Sequence, residues 1–117
     1  MNGGLSFQRA RKPQEQQLRR EAILMAAAEL FDAEGPAGAG LNAIAAKAGF
    51  TKSNVYRYFE SREDVLLSLF LDELTGFAAA FEAAIAPVAP GDLRTLARVA
   101  ADGFIARPRV PALLAIL

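Results

Sequence analysis

Cysteine and histidine are both missing from the 117 residues, which removes disulfides, thiol catalysis and zinc sites of the usual Cys/His kind. No stretch alternates Val, Ile, Thr or Tyr with polar residues over a strand's length between turn residues, so no sheet is expected. No run approaches the ~20 apolar residues needed to cross a bilayer. Residues 1–13 are polar and basic and lack an apolar segment resembling a signal peptide. A soluble, cytoplasmic chain with no membrane partner is the expectation. Without histidine, cysteine or a glycine-rich phosphate loop, an enzyme would have no evident reacting group, and nothing requires a metal or a cofactor.

What is abundant is apolar: hydrophobic residues make up 53% of the chain, and their excess is mostly alanine, the best helix former and a weak core filler. The fold class expected is all-α. Formal net charge is zero, but its distribution is uneven. Residues 1–62 carry nine Lys/Arg against six Asp/Glu, whereas residues 63–117 carry four against seven. The basic half has the sign a polyanion partner requires, although the excess is modest.

Residues 1–16 show no periodicity and hold Arg9, Arg11, Lys12 and Pro13, so they are expected to form a disordered basic arm. From Gln17 to Glu34, Ile23, Ala27, Leu30 and Phe31 keep the spacing of one helix face, and Gly35 with Pro36 stops the helix. A second, short helix is expected over Leu41–Ala48, with Gly49 as its left-handed cap. Thr51 caps a third over Lys52–Phe59, buried through Val55 and Phe59. Ser61 and Asp64 have capping-box spacing for a long fourth helix, which Pro87 and Pro90 end. A fifth opens at Gly91 and Asp92 and closes at Pro108, and a sixth begins near Val110. The last residues, Ile116 and Leu117, fall within an apolar helical pattern with no cap. That pattern leads us to expect a longer natural protein; an intact mass of 12.5 kDa for the natural product would contradict it.

Two short helices joined by a glycine turn and packed on a third form a helix-turn-helix, expected here at about residues 40–59 within a head spanning 17–62. At ~100° per residue, Arg57, Ser53 and Asn54 point most nearly away from the Val55/Phe59 side, and Tyr56 and Tyr58 lie on opposite flanks. Such a face suits a DNA groove. Arg57 can pair with guanine edges, Asn54 and Ser53 with bases or phosphates, and the tyrosine hydroxyls with the two backbones. Lys52 and Thr51 sit at the positive helix end, where phosphate is favoured, and Arg62 can grip the same backbone from the side. Each residue alone is equally explained as a solvated charge or a packing aromatic; the arrangement is more specific than its members.

Ile23-Leu24 through Ala26-Ala27, Leu30-Phe31, Gly35, Ile44-Ala45, Ala48 to Lys52, Val55 to Phe59 and Ser61-Arg62-Glu63 together resemble the TetR (tetracycline-repressor) family, over about residues 17–77. The resemblance implies a two-fold dimer gripping a palindromic double-stranded DNA operator as a repressor, with a small-molecule effector in a second helical domain. It also places Thr51, Lys52, Ser53, Asn54, Tyr56, Arg57, Tyr58 and Arg62 where the family commonly contacts DNA. The sequence departs from the family pattern before the second helix: Ala39 and Gly40 stand where a hydroxyl pair is usual, which leaves Asn42 as that helix's contact to the backbone. Residues 63–117 are expected to form the connecting helix and the start of the effector and dimerisation domain. There Phe70, Phe77, Phe81 and Phe104 are candidates to line an effector pocket, with ordinary core packing as the plainer role. Asp72 and Glu73 are expected on a solvated face. The rival function is a helical protein-interaction module that has lost DNA binding.

Overall fold

The computed structural model describes the backbone of residues 3–117 and the side chains of residues 12–117. Among the described residues every regular element is a helix. They are α1 (Gly3–Glu34), a 3-10 turn η1 (Pro36–Gly38), α2 (Leu41–Ala48), α3 (Lys52–Val55), α4 (Arg62–Ile85), α5 (Leu93–Ala106) and α6 (Arg109–Leu114). Two compact units divide the chain, Met1–Val65 and Leu66–Leu117.

In the first unit, Ile23, Leu24, Ala26, Ala27, Ala28 and Phe31 of α1, Ile44 and Ala45 of α2, and Val55, Phe59 and Val65 are all buried. The alanines keep side-chain volume small where α1 and α2 meet, so the bulk of the core comes from Ile23, Ile44 and Phe59. α1 ends at Gly35, whose φ of 75° is in the left-handed region, and Gly35 N–H donates to the Phe31 carbonyl at 2.9 Å. Pro36 then sets the next turn.

The turn between α2 and α3 follows from Gly49. At φ 80° it lets Phe50 N–H reach the Ala45 carbonyl at 2.9 Å and its own N–H reach Ala46 at 3.2 Å. These two bonds make a Schellman motif, which satisfies the carbonyls left open at the end of α2. A Cβ at Gly49 would meet nothing within 4 Å, so Gly49→Ala carries backbone strain alone. Its expected cost is about 1–2 kcal/mol, read as a lower urea midpoint; a neutral Gly49→Ala would show that the turn does not need the left-handed conformation.

Two expectations change. The basic stretch before residue 17 is helical from Gly3 rather than disordered. Apolar periodicity reports a buried face, and a solvated helix of Gln, Arg, Lys and Glu needs none; the helix runs through Pro13, which removes one N–H from the ladder and crowds the carbonyl four residues back. The third helix is also shorter than expected, with regular α-helix ending at Val55 instead of Phe59. Arg57 N–H and Tyr58 N–H bond three residues back, to Asn54 and Val55, at 3.2 and 3.0 Å. The β-branched and aromatic run Val55–Phe59 propagates α-helix poorly, and Phe59 turns into the core.

The remaining helices start where their caps were expected. Asp64 N–H donates to Ser61 Oγ at 3.1 Å, while Asp64 Oδ2 accepts from Glu60 N–H at 2.8 Å, one residue before the partner a regular capping box would use. Asp92 caps α5, accepting from Thr95 N–H at 3.1 Å and from the Thr95 hydroxyl at 2.6 Å. The Thr95 hydroxyl foremost, then its N–H, holds the Asp92 carboxyl below its ordinary value. The cap's stabilisation is therefore present above the unfolded-state pKa and is lost as pH falls through the lower folded-state value.

In the second unit Val110 and Leu113 of α6 are buried. Glu73 corrects the expectation of a solvated face. Its carboxylate is 17% exposed and holds Arg109 at 2.9 Å and Arg107 at 3.5 Å. Asp72 is exposed, as expected. No local pattern announces the pairing, because the arginines lie 34 and 36 residues further along the chain.

Candidate nucleic-acid interface

The segment Thr51–Tyr58 is anchored from behind by Val55 and Phe59, at 0% and 1% exposure, and little else of it is buried. Thr51 opens it, its Oγ1 accepting from Asn54 N–H at 3.2 Å. Lys52, Ser53, Tyr56 and Arg57 are exposed, and Asn54 and Tyr58 half-buried. The i to i−3 bonding after Asn54 has a consequence for side-chain direction. With close to three residues per turn, positions three apart eclipse, which puts Arg57 and Asn54 on the same edge. Both line a small cleft of about 190 Å³ with Phe50, Tyr58 and Arg19. Tyr56 stands apart from it, half of its surface open.

Asn42 is exposed in the first turn of α2. Gly40 caps that helix with backbone only and makes no side-chain cap bond, as the missing hydroxyls led us to expect. Ala39 is fully buried.

Arg62 is placed differently from the other candidates. Its Nε donates to the Ala39 carbonyl at 3.0 Å and its Nη2 to the Pro36 carbonyl, while Nη1 sits 3.6 Å from Glu63. The guanidinium is thus engaged across the loop that precedes α2, and the loop's carbonyls, twenty-odd residues upstream, gave the sequence no local sign of it.

Arg19 and Arg20 are residues that sequence reasoning missed. Arg20 lies over the Phe59 ring, its guanidinium carbon 5.3 Å from the centroid, and Arg19 borders the recognition segment. The signal was available: Lys12, Gln16, Arg19 and Arg20 share one helix face at i, i+4, i+7 and i+8.

Of the phenylalanine candidates in the second unit, three come together. The Phe77 ring stacks on Phe104 at 4.8 Å and on Phe81 at 5.9 Å between centroids. Phe70 is half-buried and makes no ring pair with them among the described residues. The described residues hold no cluster of three or more acidic side chains suited to a metal, and no helix among them is long and apolar enough to cross a membrane.

A supporting helix, a left-handed glycine turn and a short, outward, polar segment make this unit a helix-turn-helix DNA-binding domain. Residues 23–69 match the bacterial regulatory proteins of the tetR family. Over 47 residues, 40% of this chain, the sequence is 47% identical to two uncharacterized HTH-type transcriptional regulators, MT1294 of Mycobacterium tuberculosis (strain CDC 1551 / Oshkosh) and Rv1255c of Mycobacterium tuberculosis (strain ATCC 25618 / H37Rv). That match spans 23% of each relative's length. The fold is similar to the crystal structure of a protein from Shewanella sp. PV-4 assigned to the tetR family of transcription regulators. Its TM-score is 0.64 at 30% identity, covering 84% of this chain and 53% of that one. It is also similar to the fatty acid degradation regulator FadR from Bacillus halodurans, with a TM-score of 0.64 at 23% identity, covering 82% and 52%; that second likeness speaks for the fold alone. Over residues 23–69 the chain is similar to the tetR family of bacterial regulatory proteins, and it spans about half the length of these structures.

Proposed function

We propose that the protein binds double-stranded DNA sequence-specifically as a cytoplasmic, non-enzymatic repressor, and that the segment Thr51–Tyr58 enters the major groove. The observation that carries the reading is the short polar segment, anchored through the buried Val55 and Phe59, with Arg57 and Asn54 lining one cleft at its edge. In this reading Arg57, Asn54 and Ser53 meet base edges, and Lys52, Thr51, Tyr56, Tyr58 and Asn42 meet the two backbones. Arg62 acts as a positioning residue, holding the Pro36–Ala39 loop so that α2 starts in register.

Two copies bind a palindromic operator with half-sites roughly 34–36 Å apart. A small molecule in the second domain, near Phe70, Phe77, Phe81 and Phe104, shifts α4 and changes that separation. If operator affinity of the full-length dimer stayed the same with every ligand that binds its second domain, this coupling would be wrong.

The direct test is selection of bound duplexes from random DNA, followed by Arg57→Ala on the preferred sequence. The substitution is expected to weaken binding by about 1–3 kcal/mol, which is about 5- to 150-fold, and to relax preference at one base pair. A loss equal on all sequences would contradict base reading. Failure of the unmodified protein to bind any duplex would leave the protein-interaction module as the better account.

A further inference from the structure

Beside the recognition segment the structure holds a further cationic feature, most of whose cations base reading does not use. An open cleft of about 490 Å³ lies between α1 and the recognition segment, lined by Lys12, Arg19, Arg20, Arg57 and Tyr58, with Glu15 as the acid in its lining. Among the described residues, Lys12, Arg19 and Arg57 form no ion pair, and all three are exposed. Arg20, the fourth cation, is held against Phe59, which closes the recognition segment. The basic face of α1 is therefore fixed in position relative to Arg57.

We infer that this face of α1 is a DNA-backbone clamp, in which Lys12 and Arg19 neutralise phosphates of the same duplex whose groove the recognition segment enters. Three observations favour the backbone of that duplex over a free anion. The cleft shares Arg57 and Tyr58 with the recognition segment, so a duplex seated on one runs along the other. Lys12 and Arg19 are about 10 Å apart along the helix at 1.5 Å per residue, a spread that suits a row of phosphates. Both are long, exposed cations, suited to a mobile polyanion, and the cleft offers few apolar walls to enclose a small ligand. Arg20 is a positioning residue, since its guanidinium lies on an aromatic ring. The helical course of α1 before residue 17 gives the feature its purpose: a disordered arm would scatter Lys12, whereas a helix holds it one face and two turns from Arg19. The inference rests on the DNA-binding reading and deepens it.

The experiment is fluorescence anisotropy of the full chain with a duplex selected from random DNA and with a scrambled duplex, each titrated with salt. For the unmodified chain, affinity falls with salt in proportion to the phosphates neutralised, about 0.9 in the logarithmic slope per phosphate contact. Lys12→Ala/Arg19→Ala is expected to reduce that slope by nearly two per bound protomer and to weaken both duplexes by the same factor, while Arg19→Lys keeps the slope. Arg94→Ala, an exposed arginine of α5, leaves it unchanged. Alanine is a better helix former than either residue replaced, so α1 is retained; far-UV dichroism checks this, and Lys12→Gln/Arg19→Gln gives the same readout with longer side chains.

An unchanged slope in both double variants, with Arg57→Ala still weakening the selected duplex, overturns the clamp and leaves the DNA-binding reading standing. A loss confined to the selected duplex overturns it too, by showing base contact instead. Absence of any duplex binding by the unmodified chain overturns both readings.

Discussion

Phe59→Ala is expected to cost the first unit about 3–5 kcal/mol, the range for emptying an aromatic site in a packed core. The ring is 1% exposed and carries Arg20 on one face. It is one of two side chains, with Val55, that fasten the recognition segment. Small domains are stable by about 5–15 kcal/mol in total, so one substitution removes a fifth of the margin or more. Urea unfolding of the variant should show the loss directly, and duplex binding should fall with the fold. Arg57→Ala provides the contrast, because Arg57 is exposed: its variant should unfold at the parental midpoint and lose affinity alone. A Phe59→Ala midpoint close to the parental one would mean that the segment is not held from behind by this ring.

The second large effect is expected at Glu73. Its carboxylate lies between Arg107 and Arg109, so Glu73→Ala leaves two guanidinium groups facing each other without a counter-charge. Breaking a fully buried pair costs about 3–5 kcal/mol. The arginine side chains are about a third exposed, and solvent screens them, so about 2 kcal/mol is expected. Hydrogen exchange should locate the loosening in α4 and in the turn from α5 to α6, and added salt should narrow the difference from the parent by screening the arginines. Glu73→Gln, which keeps an acceptor for Arg109, should cost less. If Glu73→Ala and Glu73→Gln exchange like the parent, the ion pairs contribute nothing to this unit's stability.

These two residues differ in how far the sequence announces them. Phe59 was legible because burial in a helix follows spacing: Val55 and Phe59 repeat at i, i+4, and the turn residues around them fix where the repeat begins. Gly49, Thr51, Ser61 and Asp92 were legible for the same reason, since a cap acts on its own neighbours within about four residues. Glu73 was not. Its partners are 34 and 36 residues away, and adjacency to Asp72 suggested only a solvated face.

The candidate interface divides along the same line. Lys52, Ser53, Asn54 and Arg57 emerge from helical angles alone, because a helix with one buried side must turn its other side outward. The tightening at Arg57 and Tyr58, which sets Arg57 on the same edge as Asn54, did not emerge, because those angles assume a regular α-helix through Phe59. Arg62 reads in sequence as one more cation beside the DNA face. In the structure its guanidinium bonds the Pro36 and Ala39 carbonyls, a choice made by which acceptors the fold carries within its reach.

The sequence by itself determined the all-helical class, the caps at Thr51, Ser61 and Asp92, the glycine turn and the polar face of the recognition segment, since each depends on local backbone chemistry or on periodicity. Tertiary structure alone decided that Arg20 lies on Phe59, that Arg19 and Lys12 line a cleft with Arg57, and that Glu73 holds two arginines. In each of these cases the groups come from separate helices or turns, and the fold sets their interactions or their shared cleft. Such interactions depend on distances through space, and no spacing along the chain encodes them.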